Sequence, residues 1–280
     1  MQAEQLLRAR DSSKESTQIS PDLGLTNVQV ELSDQGVRFP SGELLSWSDA
    51  ELIGDSKRSG RLTGHCYTLV EGTPREISTY SHDFDRLYSL MPTQGAPTMI
   101  ISGIPMHRIK GTDPYQDTLE KIRAAAPMTG RVLDTTTGLG YTAIQASRTA
   151  SEVITIELDP AVIELCRQNR WSRELFDNPR ITSLIGDSYE VIRDFKDGEF
   201  NRVIHDPPTF SLAGELYSRE FYRQVYRVLR RGGRLFHYIG NPDTNLGARV
   251  TRGAVRRLRE AGFNRVVQQP EAFGVLAFKQ

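Results

Sequence analysis

The chain has 280 residues, more than one compact domain usually needs and enough for a core of roughly 150 residues plus an appendage. Its 38% hydrophobic and 25% charged residues and mean hydropathy of -0.44 exclude fibrous and disordered classes, and no apolar run approaches the roughly 18 residues a bilayer crossing needs. Lysine plus arginine (35) equals aspartate plus glutamate (35), so net charge gives no argument for a nucleic-acid-coating protein, and any basic surface must be local.

The opening MQAEQLLRARDSSKES lacks the apolar stretch and cleavage site of a signal peptide, which predicts a cytoplasmic location. Residues 1–22 read as a flexible or helical arm. Residues 23–100 read as a β-rich domain: Val28, Val30 and Leu32 alternate with polar neighbours, and turns at Asp34-Gln35-Gly36 and Ser41-Gly42 lead back through Val37 to Phe39 and Leu44 to Trp47. Further strands are expected over 66–71 and 76–80, with a short helix around 84–90. Cys66 and Cys166 stand in no CxxC or Cys/His spacing, so they read as reduced packing residues, with neither a disulfide framework nor a metal site.

Residues 101–129 form a connecting segment with a helix from Pro114 to Ala126, Asp113 being its N-cap. From 130 to 280 short apolar runs alternate with helical stretches, at Arg131–Asp134, Val153–Glu157, Ile181–Ile185, Val203–Asp206 and Arg234–Ile239. That rhythm predicts buried parallel strands with crossover helices, a Rossmann-like doubly wound α/β sheet. Phe263–Gln268 and Gly274–Phe278 are separated by too few residues for a parallel crossover, so they are expected as a terminal antiparallel hairpin.

The first core strand runs into Thr135-Thr136-Thr137-Gly138-Leu139-Gly140, where glycines allow a sharp bend and close approach to a ligand. Glu157 ends the second strand, placed for the two hydroxyls of a ribose. Because Gly138-x-Gly140-x-x-Ala143 also fits a loose dinucleotide fingerprint, this pattern alone leaves NAD, or a turn without ligand, open. The third strand ends at Gly186-Asp187 and the fourth at Asp206-Pro207-Pro208-Thr209-Phe210. With these in order, the chain from about residue 103 resembles a class I S-adenosylmethionine-dependent methyltransferase. Its strings IPMHRIKGTDPYQDTLEKI, VLDTTTGLGYTA, TIELDP, GDS and HDPPTF are similar to a group of predicted archaeal methyltransferases with a DPP motif.

The resemblance implies S-adenosylmethionine bound by Asp134, Thr135, Gly138 and Gly140 at its methionyl part, by Glu157 and Leu158 around the ribose, and by Asp187 and Ser188 at the adenine. Asp187 reads equally as a helix cap. The DPP string resembles the motif of enzymes that methylate planar nitrogens, in which the Asp206 carboxylate and the Pro207 carbonyl would hold an exocyclic amine, with Pro208 stiffening the turn and Phe210 stacking. Thr209 here stands where that family has its aromatic. His205 and His237 lie in apolar strands and read as packing residues. His107 and Lys110 fall in a segment that in related enzymes covers donor or substrate; a turn role fits them as well.

Arg219, Arg223, Arg227 and Arg230 share one face of a helix expected over 215–230, and Arg249, Arg252, Arg256, Arg257 and Arg259 follow on one over 248–261. Arginine forks suit phosphates, while a solvated helix face is the alternative. These readings lead to an N-methyltransferase acting on a base amine of structured RNA, with rRNA cytosine N4 as the narrower expectation, and with no metal and no membrane partner. The alternatives are a spermidine-synthase-like aminopropyltransferase, against which the arginine stripe argues, a methyltransferase of a protein or small amine, a NAD-dependent oxidoreductase and a non-catalytic RNA-binding module.

Overall fold

The computed structural model describes residues 3–55, 64–210 and 212–280. The chain divides into two compact units, Met1–Tyr115 with Glu164–Trp171, and Gln116–Ile163 with Ser172–Gln280.

The first unit is β-rich. Strands Ser16–Ile19, Val28–Ser33, Gly36–Arg38 and Leu44–Ser46 form an antiparallel meander in chain order. Helices Ala3–Asp11 and Trp47–Asp55 bring Leu6, Ala50 and Ile53 into one cluster with Ile19, Val30, Val37 and Leu45. The arm is therefore helical at its start, and its second half is the first strand of the sheet. The helix expected around 84–90 is instead the strand Arg86–Met91, paired on one side with Ser78–Ser81 and on the other with Thr98–Ile101. Phe84, Leu87, Tyr88 and Met91 have helix-like spacing, but two neighbouring strands claim the backbone hydrogen bonds, and tertiary pairing outweighs the local pattern.

The second unit holds a seven-stranded sheet: β1 (Arg131–Asp134), β2 (Glu152–Glu157), β3 (Ile181–Ile185), β4 (Phe200–His205), β5 (Leu229–Tyr238), β6 (Arg265–Gln269) and β7 (Gly274–Phe278). Its order is β3-β2-β1-β4-β5-β7-β6. All neighbours are parallel except β5 with β7 and β6 with β7. This is the expected doubly wound α/β sheet with a terminal antiparallel hairpin, and the strand order reverses beside β1, where open α/β sheets leave a ligand crevice.

Helices along this part of the chain include α1 (Pro114–Ala125), α2 (Tyr141–Ala146), α3 (Pro160–Gln168), α4 (Arg219–Val228) and α5 (Asn245–Glu260). Asp113 caps α1 as expected, its Oδ1 accepting the Tyr115 backbone N–H at 2.8 Å. Phe221, Tyr222, Val225 and Val228 of α4 are buried against a core that includes Phe200, Val203, Leu235 and Phe263. Cys66 and Cys166 are buried free thiols. Among the described residues no helix is long and apolar enough to cross a membrane.

Candidate active site

The carboxyl edge of β1, β2, β3 and β4 collects the acids singled out in the sequence. After Asp134 the backbone turns through Gly138 (φ 52°) and Gly140 (φ 77°), both in the left-handed region that favours glycine. A Cβ on Gly140 would sit 3.0 Å from the Leu175 side chain, whereas one on Gly138 would meet nothing within 4 Å. The bend is thus packed from below and open above Gly138.

The three threonines before the bend lock the strand tips together. Thr135 Oγ1 pairs with His205 Nδ1 at 2.7 Å, Thr136 Oγ1 donates to the Asp206 carbonyl at 2.8 Å, and Thr137 Oγ1 pairs with Thr155 Oγ1 at 2.7 Å. Thr135 is therefore a scaffold residue through its hydroxyl. Asp134 is fully buried; its Oδ2 accepts from Thr142 and Thr155 at 3.0 and 3.1 Å, and its Oδ1 has no hydrogen-bond partner. Burial pushes this carboxyl up to about 7, against the two threonine hydroxyls. The Thr136 backbone N–H adds to the two hydroxyls in favouring its charged form, so Asp134 is a buried acid behind the open glycine bend.

Glu157 Oε2 accepts the Gly138 N–H at 2.9 Å and its Oε1 accepts the Asp159 N–H at 3.2 Å, so β2's terminal acid is tied directly to the bend. Leu158 and Ile185, following Glu157 and closing β3, are 44% and 51% exposed; they offer apolar surface to a planar base. Asp187 caps the short helix Ser188–Val191 through Tyr189 N at 2.8 Å, which realises the cap alternative. Ser188 is buried and its hydroxyl donates to the Thr135 carbonyl. Its hydroxyl proton is thus committed, and a contact with adenine would use the hydroxyl oxygen as acceptor.

Burial pushes the Glu157 carboxyl up to about 7, opposed by the Asp159 and Gly138 backbone N–H groups. The anion is the form that accepts two ribose hydroxyls. Affinity for an adenosyl donor should accordingly weaken as pH falls through about 7, and Glu157→Gln should bind weakly at every pH with a shallower slope, the remainder belonging to Asp134. Calorimetric Kd values across this range check both, and an unchanged slope in the variant would contradict the assignment.

The tip of β4 holds an arrangement that the sequence reading missed. Lys121 of α1 places its Nζ 2.7 Å from Asp206 Oδ2, 2.8 Å from Asp117 Oδ2 and 4.2 Å from the centre of the Tyr238 ring. Burial alone would lower the lysine, but Asp206 and Asp117 outweigh it and hold the ammonium above its ordinary value. For Asp206, burial raises the carboxyl and Lys121 opposes the rise. In sequence, Asp117 and Lys121 look like an ordinary i,i+4 surface pair. Only the structure shows that they share one buried helical stripe with Thr118 and Ala125.

The expected two-acceptor clamp is altered by this lysine, since one oxygen of Asp206 is already engaged. Pro207 is buried, and the Pro208 carbonyl accepts the Tyr217 hydroxyl at 3.0 Å. Phe210 is 51% exposed and meets Tyr217 edge-on, with centroids 5.5 Å apart. Tyr217→Phe should free that carbonyl and cost about 0.5–1.5 kcal/mol, read by urea unfolding, with faster proteolysis after Phe210; full protection in the variant would contradict an anchoring role.

His205 Nε2 donates to the Leu216 carbonyl at 2.9 Å, so its Nδ1 accepts from Thr135; His237 Nδ1 donates to the His205 carbonyl at 3.3 Å, and its Nε2 accepts from Tyr222 at 2.8 Å. Burial lowers both, His205 to about 3. They are neutral braces, consistent with packing. His107 and Lys110 belong to the first unit, where His107 Nδ1 pairs with Thr98 Oγ1 at 2.9 Å and Lys110 is exposed.

The arginine stripe is interrupted. Arg227 turns inward to the Phe195 and Ile192 carbonyls and Asp197, at 2.6, 2.9 and 2.8 Å, and Arg257 Nε donates to the Tyr217 carbonyl at 2.7 Å. Arg223 lies 3.7 Å from Glu220, and Arg219 is exposed at the start of α4. Arg227 and Arg257 thus serve the fold, while Arg230, Arg252 and Arg259 remain exposed. Among the described residues no cluster of metal-ligating side chains is found.

Residues 134–266 match the family model described as Spermine/spermidine synthase domain. The chain is 43% identical over 275 residues to "Uncharacterized protein MJ1233" of Methanocaldococcus jannaschii, covering 96% of this chain and 91% of that protein. The chain belongs to the MJ1233 family. It is also 31% identical over 116 residues to the polyamine aminopropyltransferase of Sulfolobus acidocaldarius, a match spanning 39% of this chain and 38% of that enzyme. The spermidine synthase of Thermotoga maritima superposes with a TM-score of 0.59 at 21% identity, covering 78% of this chain and 74% of that one. This MJ1233-family chain thus carries a region similar to the spermine/spermidine synthase domain on a class I methyltransferase-type fold. The comparisons lend the RNA-directed reading no support.

Proposed function

We propose that the chain transfers an aminopropyl group from decarboxylated S-adenosylmethionine to the nitrogen of an aliphatic polyamine. The observation that carries this reading is the acidic carboxyl edge, where Asp134, Glu157, Asp187 and Asp206 end four adjacent strands, and where Lys121 is outnumbered in its own cluster by Asp117 and Asp206. Such an edge attracts cationic donors and amines and repels phosphate. The match to the spermine/spermidine synthase domain covers all four acids.

Glu157 would hold the ribose hydroxyls, Asp134 would act on the donor's cationic end through its charge from behind the glycine bend, and Leu158 with Ile185 would cover the base. A bound adenosyl sulfonium supplies an electrophilic carbon and a neutral thioether leaving group. The chain's own task is to bring the nitrogen lone pair into line, a positioning role worth several orders of magnitude in rate, and Asp206 is the acceptor placed to do so. A planar base amine, which would need two acceptors at once, suits this site less well, because Lys121 already engages one oxygen of Asp206.

Incubating the protein with each donor, S-adenosylmethionine or its decarboxylated form, and with putrescine, spermidine or total RNA, tests the assignment by product mass. The expected product is an aminopropylated amine. Methylated RNA with no amine product would overturn the reading.

A further inference from the structure

We infer that Lys121 and Asp117 are positioning residues that hold Asp206 as an ionised, fixed acceptor, so that Asp206 anchors the attacking nitrogen and does not collect its proton. The inference rests on the amine-transfer reading above. The three side chains form a chain of contacts from inside to outside. Asp117 is 0% exposed and Lys121 4%, while Asp206 keeps 19%; only the last member reaches a ligand. Two carboxylates and one ammonium leave a single negative charge, which one substrate cation closes.

The groups facing Asp206 are Asp117 and Lys121 from α1, Asp134 at the tip of β1 and Tyr217, with Tyr238 facing Lys121. Lys121 makes the carboxylate a poorer base, while Asp117 restrains that effect by sharing the ammonium. A base is not required in the bond-making step. The substrate ammonium first loses a proton to water. The amine lone pair then forms the N–C bond as the C–S pair departs on sulfur, giving a neutral thioether and moving the positive charge to nitrogen. The product ammonium later releases its proton to water. Asp206 accepts an N–H throughout and stays ionised.

The test uses the full chain, with ¹³C-labelled aspartate titrated by NMR and the Asp206 signal identified by its loss in D206N, alongside the pH profile of amine transfer. In K121M the Asp206 titration and the acidic limb of kcat should move up by about one to three pH units; K121R should restore them, and D117N should move them down. D206N should raise KM for the amine while retaining most of kcat, since an amide oxygen still accepts an N–H. Titrations unmoved in D117N and K121M, or D206N losing kcat at unchanged KM, would overturn the inference. Should K121M not fold, the D117N shift and the D206N split decide. If no amine is alkylated at all, the functional reading fails, and the NMR titrations still judge the triad on their own.

Discussion

Asp206→Ala is expected to lower amine transfer by about 100- to 1,000-fold, equivalent to roughly 2.7–4 kcal/mol of transition-state positioning. Donor affinity should stay within about threefold of wild type, because Glu157 and the glycine bend hold the donor independently of the β4 tip. The fold should persist, since Lys121 keeps Asp117 at 2.8 Å as its partner. The rate with saturating donor and the calorimetric Kd check the two halves of this statement. Transfer reduced by less than about threefold would remove Asp206 from the reaction, and a parallel loss of donor binding would make it a binding residue instead.

Lys121→Met should be the most damaging single change to stability. It leaves Asp117 and Asp206 as buried carboxylates without their shared cation, a loss of about 3–5 kcal/mol for a broken buried pair. Urea unfolding measures it directly. Combining Lys121→Met with Asp117→Asn and Asp206→Asn should recover most of the loss, because removing all three charges together strands none of them. If the triple variant is as unstable as the single one, lost packing of the lysine stem rather than stranded charge is the cause.

The catalytic unit was legible because its physics is local and repeated. Buried parallel strands need continuous apolar runs and crossover helices need length, so β1, β3 and β7 fall where the residue pattern put them. The strand-end acids were legible for the same reason, since the topology brings successive strand tips to one edge. What escaped is what depends on partners remote in sequence. Lys121 meets Asp206 across 85 positions, and nothing in a lysine four residues after an aspartate signals burial. Arg227 and Arg257 looked like surface charge until their guanidinium groups were seen to satisfy backbone carbonyls. Arg86–Met91 looked helical until strands on both sides claimed it. The bond from the Ser188 hydroxyl to the Thr135 carbonyl escaped likewise, because 53 positions separate the two residues.

Calorimetric titration of the intact chain with decarboxylated S-adenosylmethionine, repeated on Glu157→Ala, examines the root of this account. The account predicts one site per chain for the wild type and at least a tenfold weaker Kd in the variant, about 1.4 kcal/mol for the lost ribose contacts. Absence of binding in the wild type, or equal binding by both proteins, would contradict it.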